Sequence, residues 1–290
     1  MTRLADVPVP MDDSVRQIQR FWNGFAEVYT AEANKTLTIQ GSRVLHAHMD
    51  LDTATRVLEV GAGAGLGTED ILSRLSPHAT LLTTDLAPAM LQRLERRVAP
   101  YQETRKIDVA LANAQELRDL DDSAFDRYIA SLVLQLTPDP NAMLKEAVRV
   151  LANDGIAGFV IWGAPEHSGV DTLPSDMEKA LDIGGRGALH PNFNLGLRLD
   201  ELRATITSVG FRHVVSWPVL LVEEKWDGAR NASAYDALKP VKLEDFDGDA
   251  AAADAFRMRR HACLTQLSNE WLATHEMPIG LEVYIILARK

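Results

Sequence analysis

Residues 56–68 read RVLEVGAGAGLGT, and this stretch decides the fold. Val57, Leu58 and Val60 form a short, nearly continuous apolar run, the pattern of a parallel strand buried on both faces. Gly61, Gly63, Gly65 and Gly67 then follow at alternate positions. Glycine tolerates positive φ and carries no Cβ, so the backbone turns sharply there and lies directly against a ligand. Ile71, Leu72 and Leu75 repeat at helical spacing just beyond. Strand, glycine turn and helix N-terminus make a nucleotide-type site, in which free N–H groups and the positive end of the helix dipole face the ligand.

Spacing separates two versions of such a site. A dinucleotide fingerprint needs G-x-G-x-x-G. Here Gly61-x-Gly63 is followed by Ala64, Gly65 and Leu66, so the sixth position fails. With Glu59 two residues ahead, the run instead resembles motif I of the class I S-adenosylmethionine (SAM)-dependent methyltransferases, E/D-x-G-x-G-x-G. The resemblance extends over residues 29–290. It implies an α/β fold: a doubly wound, seven-stranded, mostly parallel sheet with an antiparallel last strand. N-terminal helices and a helical insert before the last strand complete it. It also implies SAM as cofactor, S-adenosylhomocysteine (SAH) as product and methyl transfer as the activity. One domain, 1–290, is expected. It comprises a helical cap (1–50), a Rossmann-like core (51–222 and 281–290) and an insert or lid (223–280).

Second-strand residues 79–84 end at Asp85. An acidic residue roughly 20 positions past the glycines, at the tip of strand two, is placed to accept from ribose hydroxyls. A carboxylate suits this because it only accepts, through two oxygens. Asp85 also stands where it could cap the helix that Leu86, Ala87 and Pro88 begin. Met90, just inside that helix, packs either on an adenine or in the core. Strand three, 107–112, runs into Asn113-Ala114-Gln115-Glu116-Leu117. This resembles the family's D-A-E-x-L stretch, where the acid meets the adenine amino group and the next N–H a ring nitrogen. Asn113 replaces the acid, and its side-chain carbonyl retains the acceptor. A plain polar turn is the other reading. The resemblance thus makes Glu59, Gly61, Gly63, Gly65, Asp85, Leu86, Met90, Asn113, Ala114 and Gln115 candidate cofactor contacts.

Strand four, 126–133, leaves a D-x-x-F-D turn (Asp122, Phe125, Asp126). Its carboxyl end lies beside the glycine loop, where doubly wound sheets bind ligands. Relatives place contacts to the methionine part of SAM and to substrate here, which implicates Ser131 and Gln135. Gln135 stands where relatives often carry His, and it orients rather than accepts protons. Asp139-Pro140 begins a helix as N-cap and N1. Leu144, Ala147, Val148 and Leu151 give it an apolar face, and Asn153-Asp154-Gly155 closes it before strand five, 156–162. The unit E-x-x-R-V-L-x-x-x-G (Glu146, Arg149, Val150, Leu151, Gly155) resembles the family's approach to that strand.

Upstream, a helix begins near Asp13 or Ser14. Val15, Ile18, Trp22, Phe25 and Tyr29 share one of its faces. Either the stripe packs on the sheet, or, as the resemblance implies for Trp22, Ala26 and Tyr29, it closes over cofactor and substrate. His46 and His48, two apart on a helix, point to opposite faces and form no metal pair. Downstream, residues 163–198 show no long periodic run and read as a substrate loop. A helix over 199–209 closed by Gly210, strand six over 211–222 and a last strand over 281–289 complete the sheet. The insert holds an acidic patch (Glu244, Asp245, Asp247, Asp249) and a helix over 250–274 with Phe256, Cys263, Leu267 and Trp271 on one face. It is either a surface hairpin or a substrate lid. In the second case Trp162, His190, Trp226 and His261 are candidates for the acceptor pocket.

Composition bounds the rest. The 290 residues are 46% hydrophobic, with one Cys and a net charge of −11. A lone Cys excludes an intramolecular disulfide and points to a reducing compartment. No signal segment or bilayer-spanning run is expected, so the location is cytoplasmic. The acidic balance and the lack of a Lys/Arg cluster argue against nucleic acid and for a small-molecule acceptor. No metal motif is present, and methyl transfer needs none. His190 and His261 are the candidate bases if the acceptor must lose a proton. The expected function is methyl transfer to N or O of a metabolite. Alternatives are a non-catalytic SAM-binding subunit and a nicotinamide-dependent oxidoreductase. Oligomeric state is not legible.

Overall fold

A computed structural model describes residues 11–31, 34–183, 189–223 and 227–290. Trp226 lies outside the described residues, as does most of the N-terminal tail. Two helices come first, α1 (Asp13–Ala31) and α2 (Ile39–His46). Alternation follows: β1 (Arg56–Val60), α3 (Leu66–Arg74), β2 (Thr80–Asp85), α4 (Pro88–Val98), β3 (Lys106–Leu111), β4 (Phe125–Ser131), α5 (Pro140–Val150) and β5 (Leu151–Trp162). The chain ends with α6 (Gly169–Ala180), α7 (Leu199–Ser208), β6 (Arg212–Val222), α8 (Gly228–Leu238), α9 (Ala250–Thr274) and β7 (Gly280–Arg289).

The seven strands form one sheet in the order β3-β2-β1-β4-β5-β7-β6. β1 pairs in parallel with β2 and β4, and β7 runs antiparallel to β5. The order reverses between β1 and β4, and crevices at such switch points bind ligands. Buried Leu58, Tyr128, Phe159, Leu144, Ile206 and Phe211 centre the core on one side of the sheet. On β5, a side-chain carbon at Gly158 would come 2.5 Å from Met49 Sδ and 2.7 Å from Leu45 Cδ1. The missing side chain therefore lets α2 and the turn after it lie flush on the strand.

The chain forms two compact units. One comprises residues 1–162, 195–219 and 283–290, and the other 163–194 and 220–282. The second unit is larger than the expected insert at 223–280, because it also takes in residues 163–194. That segment is not a plain loop: α6 runs through it with Pro174 inside the helix. A proline breaks the usual helical signature, which is why the sequence reads as irregular. α6, α8 and α9 surround a small core of Leu173, Met177, Ala232, Leu264 and Ile279, against which Cys263, Leu267 and Trp271 of the expected stripe pack. Phe256 meets Phe246 instead, at 5.3 Å between ring centroids. Within the acidic patch, Asp249 caps α9 by accepting from the N–H groups of Ala251 and Ala252.

Other boundaries shift for physical reasons. Asp12, not Asp13 or Ser14, caps α1 by accepting from Val15 N. α2 ends at His46, so His48 lies beyond the helix and meets Trp217 edge-on. β4 stops at Ser131, because Leu132 takes φ +60° and leads into a short 3₁₀ turn, Leu134–Leu136. β5 starts at Leu151, five residues before the expected start. A register shift between Phe125 and Arg127 absorbs the Asn153-Asp154-Gly155 irregularity within the ladder.

Candidate functional site

The glycine loop is shaped by three left-handed residues, Gly61 (φ +63°), Gly63 (φ +57°) and Gly65 (φ +86°). Side chains there cost roughly 1–2 kcal/mol each in backbone terms alone. The three glycines differ in what surrounds them. A side-chain carbon on Gly61 would collide with Val133, and one on Gly65 would come 2.6 Å from Leu94 Cδ1. One on Gly63 would meet nothing within 4 Å. Gly61 and Gly65 are thus small for packing, whereas Gly63 leaves bare backbone facing open space.

Several contacts hold the loop. Ala62 N donates to Thr84 O at 2.9 Å. Arg97 Nε donates to Ala64 O at 2.7 Å, while Arg97 Nη1 pairs with Glu69. Asp85, at the tip of β2, accepts from Gly63 N through Oδ2 and from Ala87 N through Oδ1, both at 2.8 Å. It therefore both holds the turn that leads into α4 and fastens the loop. Each oxygen keeps a lone pair for a ligand hydroxyl. Burial pushes its carboxyl up to about 6, opposed by the Ala87 and Gly63 N–H groups.

These elements line a cavity of about 110 Å³. Of the residues expected at the cofactor, Tyr29, Gly61, Gly63, Asp85, Leu86, Met90, Asn113, Ala114, Gln115 and Ser131 all line it, and so does Trp22. Met90 unites its two readings: it lines the cavity and is 2% exposed, packed with Ala26, Ala64 and Ala87. Trp22 and Tyr29 meet edge-on at 5.3 Å. Asn113 Oδ1 accepts from Gln115 N at 3.1 Å, so the residue shapes its own turn while facing the cavity.

Glu59 and Gly65 are placed elsewhere. Glu59 is buried behind the loop, where Oε2 accepts from Thr68 Oγ1 at 2.6 Å and Thr83 Oγ1 at 2.8 Å. Burial raises its carboxyl, against the hydrogen bond from Thr68 and the influence of His46. It braces β1, β2 and α3 and does not line the cavity. Gln135, Trp162, His190 and His261 are also absent from the lining. Gln135 follows β4 in the 3₁₀ turn, with its Oε1 buried and without a hydrogen-bond partner among the described residues. His190 Nδ1 accepts from Asn192 N, and His261 Nδ1 meets Asp236 Oδ2 at 2.8 Å, an aspartate that also holds Arg260.

Val15 and Ile18 of the α1 stripe also line it, and the Val133, Leu136, Thr137 and Pro138 segment, which was not singled out from the sequence, completes the wall. The position of that segment just past β4 at the switch point was the available signal. Asn23 and Gln19 were missed altogether. Asn23 Oδ1 accepts from Ala89 N at 2.9 Å and Gln19 Nε2 donates to Leu86 O at 2.9 Å, so α1 supplies the side-chain cap that α4 lacks.

The arrangement fits an adenosyl group. Asp85 offers paired acceptors for vicinal hydroxyls, Leu86 and Met90 offer apolar contact for a flat base, and Gly63 admits close approach. Residues 58–159 match the family described as "Methyltransferase domain". Among relatives, a malonyl-acyl-carrier-protein O-methyltransferase of Geobacter sulfurreducens is 30% identical over 189 residues, covering 61% of this chain and 67% of that one. One of the same name from Halorhodospira halophila is 40% identical over 135 residues, 47% of this chain and 42% of that one. The chain thus spans two thirds of one relative and under half of the other. The crystal structure of the cyclase SpnF shares the fold (TM-score 0.61, 16% identity, 98% of this chain and 99% of that one). So does a Haemonchus contortus phosphoethanolamine N-methyltransferase bound to SAH (TM-score 0.57, 15% identity, 97% and 60%). No helix among the described residues is long and apolar enough to cross a membrane. The glycine loop, the Asp85 acceptor and the matched sequence together place this chain in the class I, Rossmann-like SAM-dependent methyltransferase family.

Proposed function

We propose that the protein transfers a methyl group from SAM to an N or O atom of a small-molecule metabolite. The observation that carries this reading is the convergence of Gly63, Asp85 and Asn113 on one cavity that Trp22 and Tyr29 also line. SAM supplies a methyl group already activated on a sulfonium. The protein's part is therefore alignment and exclusion of water. Asp85 holds the ribose through its two acceptor oxygens, Asn113 and the backbone at Ala114 and Gln115 hold the base, and the Trp22–Tyr29 pair shields the site from solvent. The relatives' name makes an oxygen acceptor the first to try.

The test is transfer of label from methyl-labelled SAM to a panel of amines, phenols and carboxylates, an acyl-carrier-protein thioester included. Labelled product at N or O supports the reading. SAH binding with no transfer to any acceptor would favour a non-catalytic SAM-binding subunit. Transfer to carbon alone would contradict the proposal as stated.

A further inference from the structure

A polar layer lies behind the glycine loop. At the end of α2, His46 is 1% exposed, and its Nδ1 meets Asp70 Oδ2 of α3 at 2.8 Å. Its Nε2 is buried with no hydrogen-bond partner among the described residues. Burying an unpaired ring nitrogen costs stability, so packing alone would favour an apolar residue here. Asp70 is held ionised as well. Burial pushes its carboxyl up, but the His46 and Arg74 hydrogen bonds outweigh it and keep it below the ordinary value.

Four residues earlier, on the same face of α2, Ser42 Oγ shares a 2.9 Å hydrogen bond with Ser131 Oγ. Ser131 ends β4 and lines the cavity. One helix face is thus pinned at two places: to α3, whose N-cap is Gly65, and to the carboxyl end of β4. Gly67 marks how close the parts come. Its backbone is not left-handed, yet a side-chain carbon there would stand 3.2 Å from Glu59 Oε1 and 3.7 Å from both His46 Cε1 and Ser42 Oγ.

We propose that His46 is a positioning residue of the cofactor site: clamped on Asp70, it sets α2 so that Ser42 orients the Ser131 hydroxyl at the cavity wall. With Ser42 as donor, Ser131 directs its own proton into the cavity, toward an anionic group such as the carboxylate of the cofactor. This inference rests on the SAM-binding reading.

The experiment is calorimetric titration of the full chain with SAH for wild type, His46→Ala, Ser131→Ala, the double variant and His46→Asn. Each alanine variant should weaken binding about tenfold, and the double variant should be no more than twofold weaker than the worse single. His46→Asn, which keeps an N–H for Asp70, should stay within threefold of wild type. A structural role alone would lower thermal midpoints without this non-additivity and without the asparagine rescue. Wild-type affinity in folded His46→Ala, or losses that multiply to about a hundredfold in the double variant, would overturn the proposal. Should His46→Ala not fold, Ser42→Ala reads the same link, with a tenfold loss that is non-additive with Ser131→Ala. Unchanged affinity in Ser42→Ala would overturn it equally. If wild type itself binds no SAH, the cofactor reading fails instead, and the two failures are told apart by that control.

Discussion

Around the glycine loop, backbone and charge do the holding: Gly63 N and Ala87 N on Asp85, Arg97 on Ala64 O, Thr68 and Thr83 on Glu59. In the second unit, apolar side chains of α6, α8 and α9 do it, helped by the Asn231–Ser268 bond and the Arg260–Asp236 pair. The difference is between a region built to present polar groups at fixed points and one built to bury surface. Substitutions in the first should show mainly in ligand affinity, and those in the second mainly in stability.

The largest expected effect tests the second region. Leu264 is 1% exposed, and Leu264→Ala should cost about 2–5 kcal/mol by denaturant unfolding. SAH affinity of the folded protein should stay within twofold. A large affinity loss without destabilisation would break the comparison.

Within the loop, two glycines separate packing from presentation. Gly65→Ala combines left-handed strain with the Leu94 clash and should cost roughly 2–4 kcal/mol of stability. Gly63→Ala carries only the strain, about 1–2 kcal/mol, yet it should lose more SAH affinity because its side chain would enter the cavity. Thermal unfolding and calorimetry on the same pair check both halves. Equal affinity in wild type and Gly63→Ala would remove Gly63 from the site.

A smaller effect follows from Asp85. Its folded value, about 6, lies above the ordinary 3.8. A raised folded value means that the ionised form opposes folding. Its contribution to stability is therefore present at low pH and lost as pH rises from about 4 through 6. Cofactor binding runs the other way, because the ionised carboxylate is the better acceptor. SAH affinity should be flat above pH 7 and about tenfold weaker at pH 5. Calorimetry across that range checks it, and a pH-independent affinity would contradict the role given to Asp85. The smallest effect belongs to Asn23→Ala, which removes the cap lent to α4 and should cost about 1 kcal/mol. It should weaken SAH binding only a fewfold.

Where the sequence was legible, the signal was local. The strand–glycine–helix pattern, the acid at the tip of strand two and the Asp139-Pro140 start depend on neighbours in sequence, and the structure bears out each of them. The misread parts depend on distant partners. Pro174 sits inside a helix that packs on α9, a contact invisible to periodicity. Glu59 looked like a ligand because motif I carries an acid there, but Thr68 and Thr83 surround its carboxylate. Asn23 caps a helix 66 residues away in sequence, and no local pattern marks such a pairing.

The central claim is that Asp85 and the glycine loop hold SAM. The most direct measurement is calorimetric titration with SAH of wild type beside Asp85→Ala. Each hydrogen bond to a charged acceptor contributes roughly 1.5–3 kcal/mol, so the account predicts saturable one-to-one binding that weakens at least a hundredfold in a folded Asp85→Ala. No binding by wild type, or equal binding by both proteins, would contradict it.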